Sequence, residues 1–494
     1  MPPLDPSGAP TRVGAAVIRT PGLSGEASEL PPSTAGTRAR GIDTTNILEE
    51  AFRTQDLQRQ QVIQLNQTRE DAVPRARTRS TPTGEPAIEL EVPDPGPESG
   101  QLVLYTDEAG VSTWNLARDE GGDVSTTRGL GTRKYLIRRH VAQPSGTRGT
   151  RGLVSGVGMK VLQVLVFPLV DPVLGRVAHG FAKSWEEKNL PYRIRRFGPS
   201  DYTTESVAPL ETSDWTKLTS GRALLFVHGT FGRAHLAFPT FPAAFMQTIH
   251  DAYGGRLFAF EHFTISEDPF VNAQRFVDAL PAGLDLNVDI INHSRGGLVS
   301  RALAELLPRL DLKGRKLTVG TVVHIASPSA GCVLADADAM IHLVDRYTNW
   351  MQFLPANAAV EVLEAAITVL KMLAVGAFKG LEGLACMAPG SAFFTQLNAP
   401  GVSTASSYRA LAANYEPIDK ELKSFAHNLV MDQIFKQDND LVVPTGGVWD
   451  ANGSPMFPIA ERLVFGKTDG VDHGGFFADA RAQAKILEWL PARG

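Results

Sequence analysis

The stretch Val288-Asp-Ile-Ile-Asn-His-Ser-Arg-Gly-Gly-Leu-Val-Ser-Arg-Ala-Leu-Ala constrains the fold of this chain more than any other. Val288–Ile291 reads as a buried strand ending at Asn292, and the helix that follows places Leu298, Val299, Ala302, Leu303, Leu306 and Leu307 on one face. Between the two elements Ser294 has almost no chain in which to turn. A strand-to-helix corner this tight lifts the serine hydroxyl above the sheet and crowds the residues two before and two after it. Gly296 meets the demand on the later side. Asn292 stands where a glycine is usual, and asparagine tolerates unusual backbone angles better than most residues.

The same alternation surrounds this corner. Ala223–Val227, Leu257–Phe260 and Leu317–Ile325 are apolar runs without a polar face, as strands covered on both sides of a parallel sheet require. Helical patterns at Val271–Leu280 and Gly297–Leu307 lie between them. Strands alternating with helices imply right-handed crossovers, hence an α/β fold with a doubly wound, mostly parallel sheet over residues 221–494. An insertion at about 328–390 carries Val360, Leu363, Ile367, Leu370 and Leu373 as an apolar stripe, and is expected to be a helical cap over the serine.

Upstream the expectations differ. Residues 1–98 are rich in Pro, Gly, Ser, Thr and Arg, and read as a disordered arm with one transient helix in Thr45–Glu70. Residues 99–150 read as a small β-rich region: Leu102–Tyr105 and Val111–Trp114 form a hairpin, and Tyr135–Val141 adds a further run. Residues 151–220 read as a helical connector, apolar from Lys160 to Leu190 and packed on the sheet; a transient membrane-surface contact there is the alternative.

Composition removes several classes of function. A net charge of −5 offers no electrostatic case for nucleic acid or for an anionic membrane. Val161–Val170 is interrupted by Pro168, and Ala358–Phe378 carries Glu361, Glu364 and Lys371, so neither supplies the ~20 apolar residues of a membrane span. Two cysteines, Cys332 and Cys386, make neither a disulfide framework nor a metal cluster and read as reduced thiols. The first residues lack the charged and apolar regions of a signal peptide, so a cytoplasmic location is expected, with export by a route that reads no such signal as the alternative.

A serine nucleophile needs a base, an acid to orient that base, and donors for the developing oxyanion. His473, in Lys467-Thr-Asp-Gly-Val-Asp-His-Gly-Gly, follows the β-type run Arg462–Phe465 and precedes a last helix, Ala478–Leu490. His427 is the other downstream histidine, but sits in a helical pattern. Asp440, before Leu-Val-Val-Pro, is the candidate acid and Asp438 the runner-up; Asp472 adjoins His473 too closely to curl back onto its ring. His228-Gly229 ends the strand Ala223–Val227, which makes the backbone N–H groups of Thr230 and Arg295 the candidate oxyanion donors. His228 and His293 suit structural roles. No metal or organic cofactor is needed.

His228-Gly229, the Asn-His-Ser-Arg-Gly-Gly corner, Asp440-Leu-Val-Val-Pro and the late His473 together resemble the lipase and esterase branch of the α/β-hydrolase superfamily. Ala388-Pro-Gly-Ser-Ala-Phe-Phe-Thr-Gln-Leu-Asn is similar to a stretch after the lid of bacterial lipase-like members. The resemblance runs from about Arg222 to the end of the chain, and implies Ser294 as nucleophile, His473 as base, Asp440 as acid, and Thr230 with Arg295 as oxyanion donors. It implies a small-molecule ester or lipid substrate. The same apparatus also serves peptidases and acyltransferases, and a hydrolase fold kept as an inactive scaffold, with the arm recruiting protein partners, is the reading from another class.

Overall fold

The computed structural model describes residues 1–31, 44–70, 87–108, 110–118, 131–138, 158–169, 174–332, 337–351, 354, 356–377, 380–415, 438–451 and 453–490. The chain divides into two compact units. One comprises Met1–Ala178, Ile341–Phe378 and Asp419–Val430; the other comprises His179–Met340, Lys379–Ile418 and Met431–Gly494.

Among its described residues the first unit holds ten strands: β1 Pro3–Leu4, β2 Thr11–Val13, β3 Ala16–Arg19, β4 Leu23–Leu30, β5 Gln58–Glu70, β6 Ala87–Pro93, β7 Ser99–Thr106, β8 Ser112–Asn115, β9 Thr132–Arg138 and β10 Gly158–Pro168. They form two antiparallel sheets in the orders β1-β4-β5-β10-β7-β8 and β2-β3-β6-β9. Ile63, Leu65, Val103, Leu162 and Val164 from the larger sheet share a buried core with Ile18, Leu90, Val92, Tyr135 and Ile137 from the smaller one. Each strand sends only alternate residues into that core. In β5, Gln-Arg-Gln-Gln-Val-Ile-Gln-Leu, most of the remaining positions are polar.

Three sequence expectations are corrected here. Residues 1–98 are not a disordered arm in their described part: they carry β1–β6 and the helix Thr44–Thr54, with Ile18, Leu65 and Leu90 fully buried. Within the expected helical connector of 151–220, Gly158–Pro168 is a strand, because its apolar run pairs with β5 on one side and β7 on the other. The stripe expected to line a cap belongs to the helix Ala356–Ala374, which packs on the Thr44–Thr54 helix and on β7. The Ile341–Phe378 part of the insertion thus belongs to the β-rich unit, and its two ends belong to the other. Its preceding helix, Ala337–Trp350, satisfies the open edge of β8: Asp345 accepts from the Trp114 N–H at 2.7 Å, and Asn349 both accepts from and donates to the Ser112 backbone, at 2.9 and 2.7 Å. Among the described residues no helix is long and apolar enough to cross a membrane.

The second unit is built on one seven-stranded sheet, with β11 Arg193–Arg196, β12 Ala223–Val227, β13 Leu257–Glu261, β14 Asp285–His293, β15 Lys316–Ile325, β16 Ser407–Ala413 and β17 Arg462–Phe465. The order is β11-β13-β12-β14-β15-β16-β17; β11 is antiparallel and all other pairings are parallel. The unit thus begins upstream of the expected boundary at 221, since β11 joins its edge. All five residues of β12 are buried. Leu224, Phe226, Ile291, Val323 and Ile325 face Phe245, Met246, Ile249, Ala482, Ile486 and Trp489 in one continuous cluster. Each Leu, Ile, Val, Phe or Met side chain among them contributes roughly 1.5–3 kcal/mol when fully buried. With both faces covered, the carboxyl ends of β12 and β14 are left as the places where a backbone corner reaches reactive chemistry.

Candidate functional site

Ser294 occupies the corner between β14 and the helix Gly296–Glu305, with φ +52. A β-carbon rarely adopts this left-handed conformation, and here the surrounding bonds enforce it. The Ser294 N–H donates to Ile325 O of β15 at 2.9 Å, while its carbonyl accepts from the Gly297 N–H at 2.9 Å. A β-carbon on Gly296 would lie 2.5 Å from His228 O, so only glycine lets this helix approach β12. One on Gly229 would lie 2.7 Å from Ser294 Cβ and 3.3 Å from its Oγ. The Gly229-Thr230 backbone therefore runs directly beside the hydroxyl.

Asn292 is accommodated by what faces it. Its Oδ1 accepts the Ser327 hydroxyl at 2.7 Å, and its Nδ2 lies 3.3 Å from His324 Nδ1. Gly297 clears the space, since a β-carbon there would stand 3.0 Å from Asn292 Oδ1. The glycine usual before the serine has in effect moved to the helix behind it, and the asparagine ties the strand end to β15.

Asp440 and His473 come together although 33 positions separate them, with His473 Nδ1 2.9 Å from Asp440 Oδ2 and both fully buried. The other carboxylate oxygen, Oδ1, accepts the N–H groups of Val442 and Val443 at 3.0 and 2.7 Å. Those two donors orient the carboxylate before the imidazole is considered. The loop is fastened to the end of β16 through Thr445, whose hydroxyl donates to Ala413 O at 2.5 Å, and through the Tyr415 N–H to Asn439 O at 2.8 Å. A neutral ring donating from Nδ1 to a carboxylate presents Nε2 as its proton acceptor. His293, next to the serine, donates from Nε2 to the His473 carbonyl at 2.8 Å, and the two rings lie 4.7 Å apart. Hence the residue beside Ser294 grips the backbone of His473. Asp438 is exposed, and Asp472 accepts the Gly474 N–H at 2.8 Å; His427 lies outside the described residues.

On the other side of the corner, His228 and His262 stack at 4.2 Å and 10°. The His262 N–H donates to His228 Nε2 at 3.1 Å, so His228 carries its proton on Nδ1 and donates it to Gly229 O at 2.9 Å. Burial lowers the pKa of His228 to about 4, and pushes His262 and His293 well below the usual histidine range. The Arg295 guanidinium is fully buried and donates to the carbonyls of Gly383, Phe263 and Glu267 at 2.9, 3.3 and 2.5 Å. Its side chain is structural, and its backbone begins the helix. His262, His324 and Ser327 escaped the sequence analysis because their partners are tens of residues away. Among the described residues no three His, Cys, Asp or Glu side chains gather as a metal would require, and Cys332 and Cys386 are both buried.

The sheet order, a left-handed serine between a parallel strand and a helix, and a late histidine on a carboxylate that follows the preceding strand define an α/β-hydrolase. Within that class the chain belongs to the DUF7379 family, described as a domain of unknown function, which matches residues 189–491. No curated protein matches the sequence. Solved structures similar to it include lipase 1 of Pelosinus fermentans, at 13% identity over 54% of this chain and 97% of that one, with a TM-score of 0.38. An α/β-hydrolase family protein of Desulfitobacterium hafniense matches at 14% identity over 54% and 94%, TM-score 0.30. Epoxide hydrolases from hot-environment metagenomes match at 12% over 56% and 92%, TM-score 0.29.

Proposed function

We propose that the chain is a serine hydrolase that cleaves carboxylic esters of small molecules or lipids through an acyl-enzyme on Ser294. The observation that carries this is the buried Asp440–His473 pair, held by His293 beside a serine whose backbone is forced left-handed. Ser294 Oγ attacks the ester carbonyl while His473 Nε2 takes its proton, and the imidazolium so formed is stabilised by Asp440. The N–H groups of Thr230 and Arg295 receive the oxyanion, each worth about 3 kcal/mol in the transition state. His473 then returns the proton to the departing alkoxide. In the second half-reaction it activates water, which releases the acid and regenerates the serine.

The test is hydrolysis of a short-chain p-nitrophenyl ester by the full chain, with Ser294→Ala alongside. The expected result is turnover in the wild type, loss of at least about 10⁴-fold in the variant, and labelling of Ser294 by a fluorophosphonate. Wild-type activity in Ser294→Ala, or a folded wild type that neither turns over nor is labelled, overturns the proposal. The second of those outcomes is what an inactive scaffold predicts. Product analysis with amide substrates and alcohol acceptors separates esterase from peptidase and acyltransferase.

A further inference from the structure

Oxyanion donors on two separate segments work only if something holds those segments at a fixed spacing. The segment after β12 carries Thr230; the start of the Gly296–Glu305 helix carries Arg295. Both are held by one loop, residues 262–267. Thr264 Oγ1 accepts the N–H of Phe231 at 3.2 Å, where the chain takes φ +61 immediately after Thr230. The carbonyls of Phe263 and Glu267 accept the Arg295 guanidinium. His262 adds its N–H bond to His228 on the same side.

A buried carboxylate grips the loop across three consecutive residues. Glu186, from the helix Leu174–Asn189, is fully buried, and its Oε1 accepts the N–H groups of Thr264 and Ile265 at 2.5 and 2.9 Å. Its Oε2 accepts the N–H and the hydroxyl of Ser266 at 2.9 and 2.6 Å. Anchoring a helix to a loop does not require a buried charge, since apolar packing of similar volume does as well or better. A carboxylate differs in that it pins three consecutive amides in direction as well as in place, which apolar packing cannot do. Burial raises the pKa of Glu186, while the bonds from Ser266, Ile265 and Thr264 oppose that rise.

We propose that Glu186 is a positioning residue for the oxyanion site: through the 262–267 loop it sets the Thr230 segment and the Arg295 segment relative to each other. This rests on the esterase reading of Ser294. Glu186 touches no reacting atom, so its removal acts on the rate of the chemical step and leaves ground-state binding of substrate nearly alone.

The experiment uses the full chain with Glu186→Gln, Thr264→Val and Thr264→Ser, and p-nitrophenyl acetate as the probe. Wild type and Ser294→Ala are run in parallel. Thr264→Val keeps the Glu186 cradle but removes the acceptor for the Phe231 N–H; Thr264→Ser keeps that acceptor. Expected are a fall in kcat of about ten- to a hundredfold for Glu186→Gln and about tenfold for Thr264→Val, with KM within about twofold and Thr264→Ser close to wild type. A boronic acid, whose adduct on Ser294 sets an oxygen in the oxyanion site, loses affinity by the same factor as kcat/KM. Wild-type kcat in Thr264→Val, or KM rising in step with the loss, overturns the role of Glu186 while Ser294-dependent turnover survives. Should Glu186→Gln not fold, the two Thr264 variants decide. Absence of Ser294-dependent turnover in the wild type removes the esterase reading, and this inference with it.

Discussion

Two histidine pairs flank Ser294, and they differ in one respect. His228 and His262 lie parallel at 4.2 Å, with ring nitrogens directed at backbone groups of Gly229, His262, Phe263 and His228. His293 and His473 are tilted by 47° at 4.7 Å, and His473 alone of the four meets a carboxylate. All four are buried. Burial therefore does not set the proposed base apart from a strut; the carboxylate partner does. A carbonyl only fixes an imidazole's orientation, whereas a carboxylate also stabilises the charge that appears when the ring takes a proton.

The comparison breaks first at the carboxylate-bound ring. His473→Ala is expected to lower kcat for a p-nitrophenyl ester by about 10⁴–10⁶-fold, while His262→Asn keeps most of the specific activity per folded molecule and loses stability instead. Equal losses of kcat in the two variants would erase the distinction. Asp440→Asn comes next, at about 10³–10⁴-fold in kcat, because an amide can hold the wrong tautomer and cannot offset the imidazolium charge. A pH–rate profile with unaltered kcat in Asp440→Asn would show that orientation alone suffices.

The strut pair makes a stability prediction with a definite sign. His228 has its folded pKa lowered to about 4 from 6.5, so between those values the unfolded chain binds a proton that the folded chain refuses. Its contribution is therefore fully present above about pH 6.5 and is lost as pH falls toward about 4, by up to about 3 kcal/mol. Urea midpoints measured across that window should fall more steeply in wild type than in His228→Gln; parallel curves would contradict it. Smallest is His293→Leu, which removes the donor to the His473 carbonyl. About a tenfold fall in kcat at unchanged KM is expected by steady-state kinetics, and no change would mean that the His473 backbone is held by its own loop.

Legibility in the sequence followed burial pattern. β12–β15 are covered on both faces, so Ala223–Val227 stands out as an unbroken apolar run and its neighbours as mostly apolar ones. The corner at Ser294 stands out in the local chain, whereas Asp440 and His473 are candidates drawn from chain order, with Asp438 as runner-up. β4 and β5 bury one residue in two at best and fill the rest with Ser, Glu, Gln and Arg, which gave them the composition of a disordered segment. β10 spans 11 residues and is mostly apolar, a length and pattern that suit strand and helix alike until β5 and β7 are known to flank it. Glu186 left no trace: its meaning lies in three amides some eighty positions away, and Trp185-Glu-Glu-Lys is an ordinary helix end.

The Ala356–Ala374 helix carries a practical lesson for anyone shortening this protein. It is encoded within the hydrolase portion of the gene product, yet the neighbours that shield Leu363, Ile367 and Leu370 from water include the Thr44–Thr54 helix and β7. Truncation to residue 179 onward would strip a long greasy surface bare, and inclusion bodies are the foreseeable harvest.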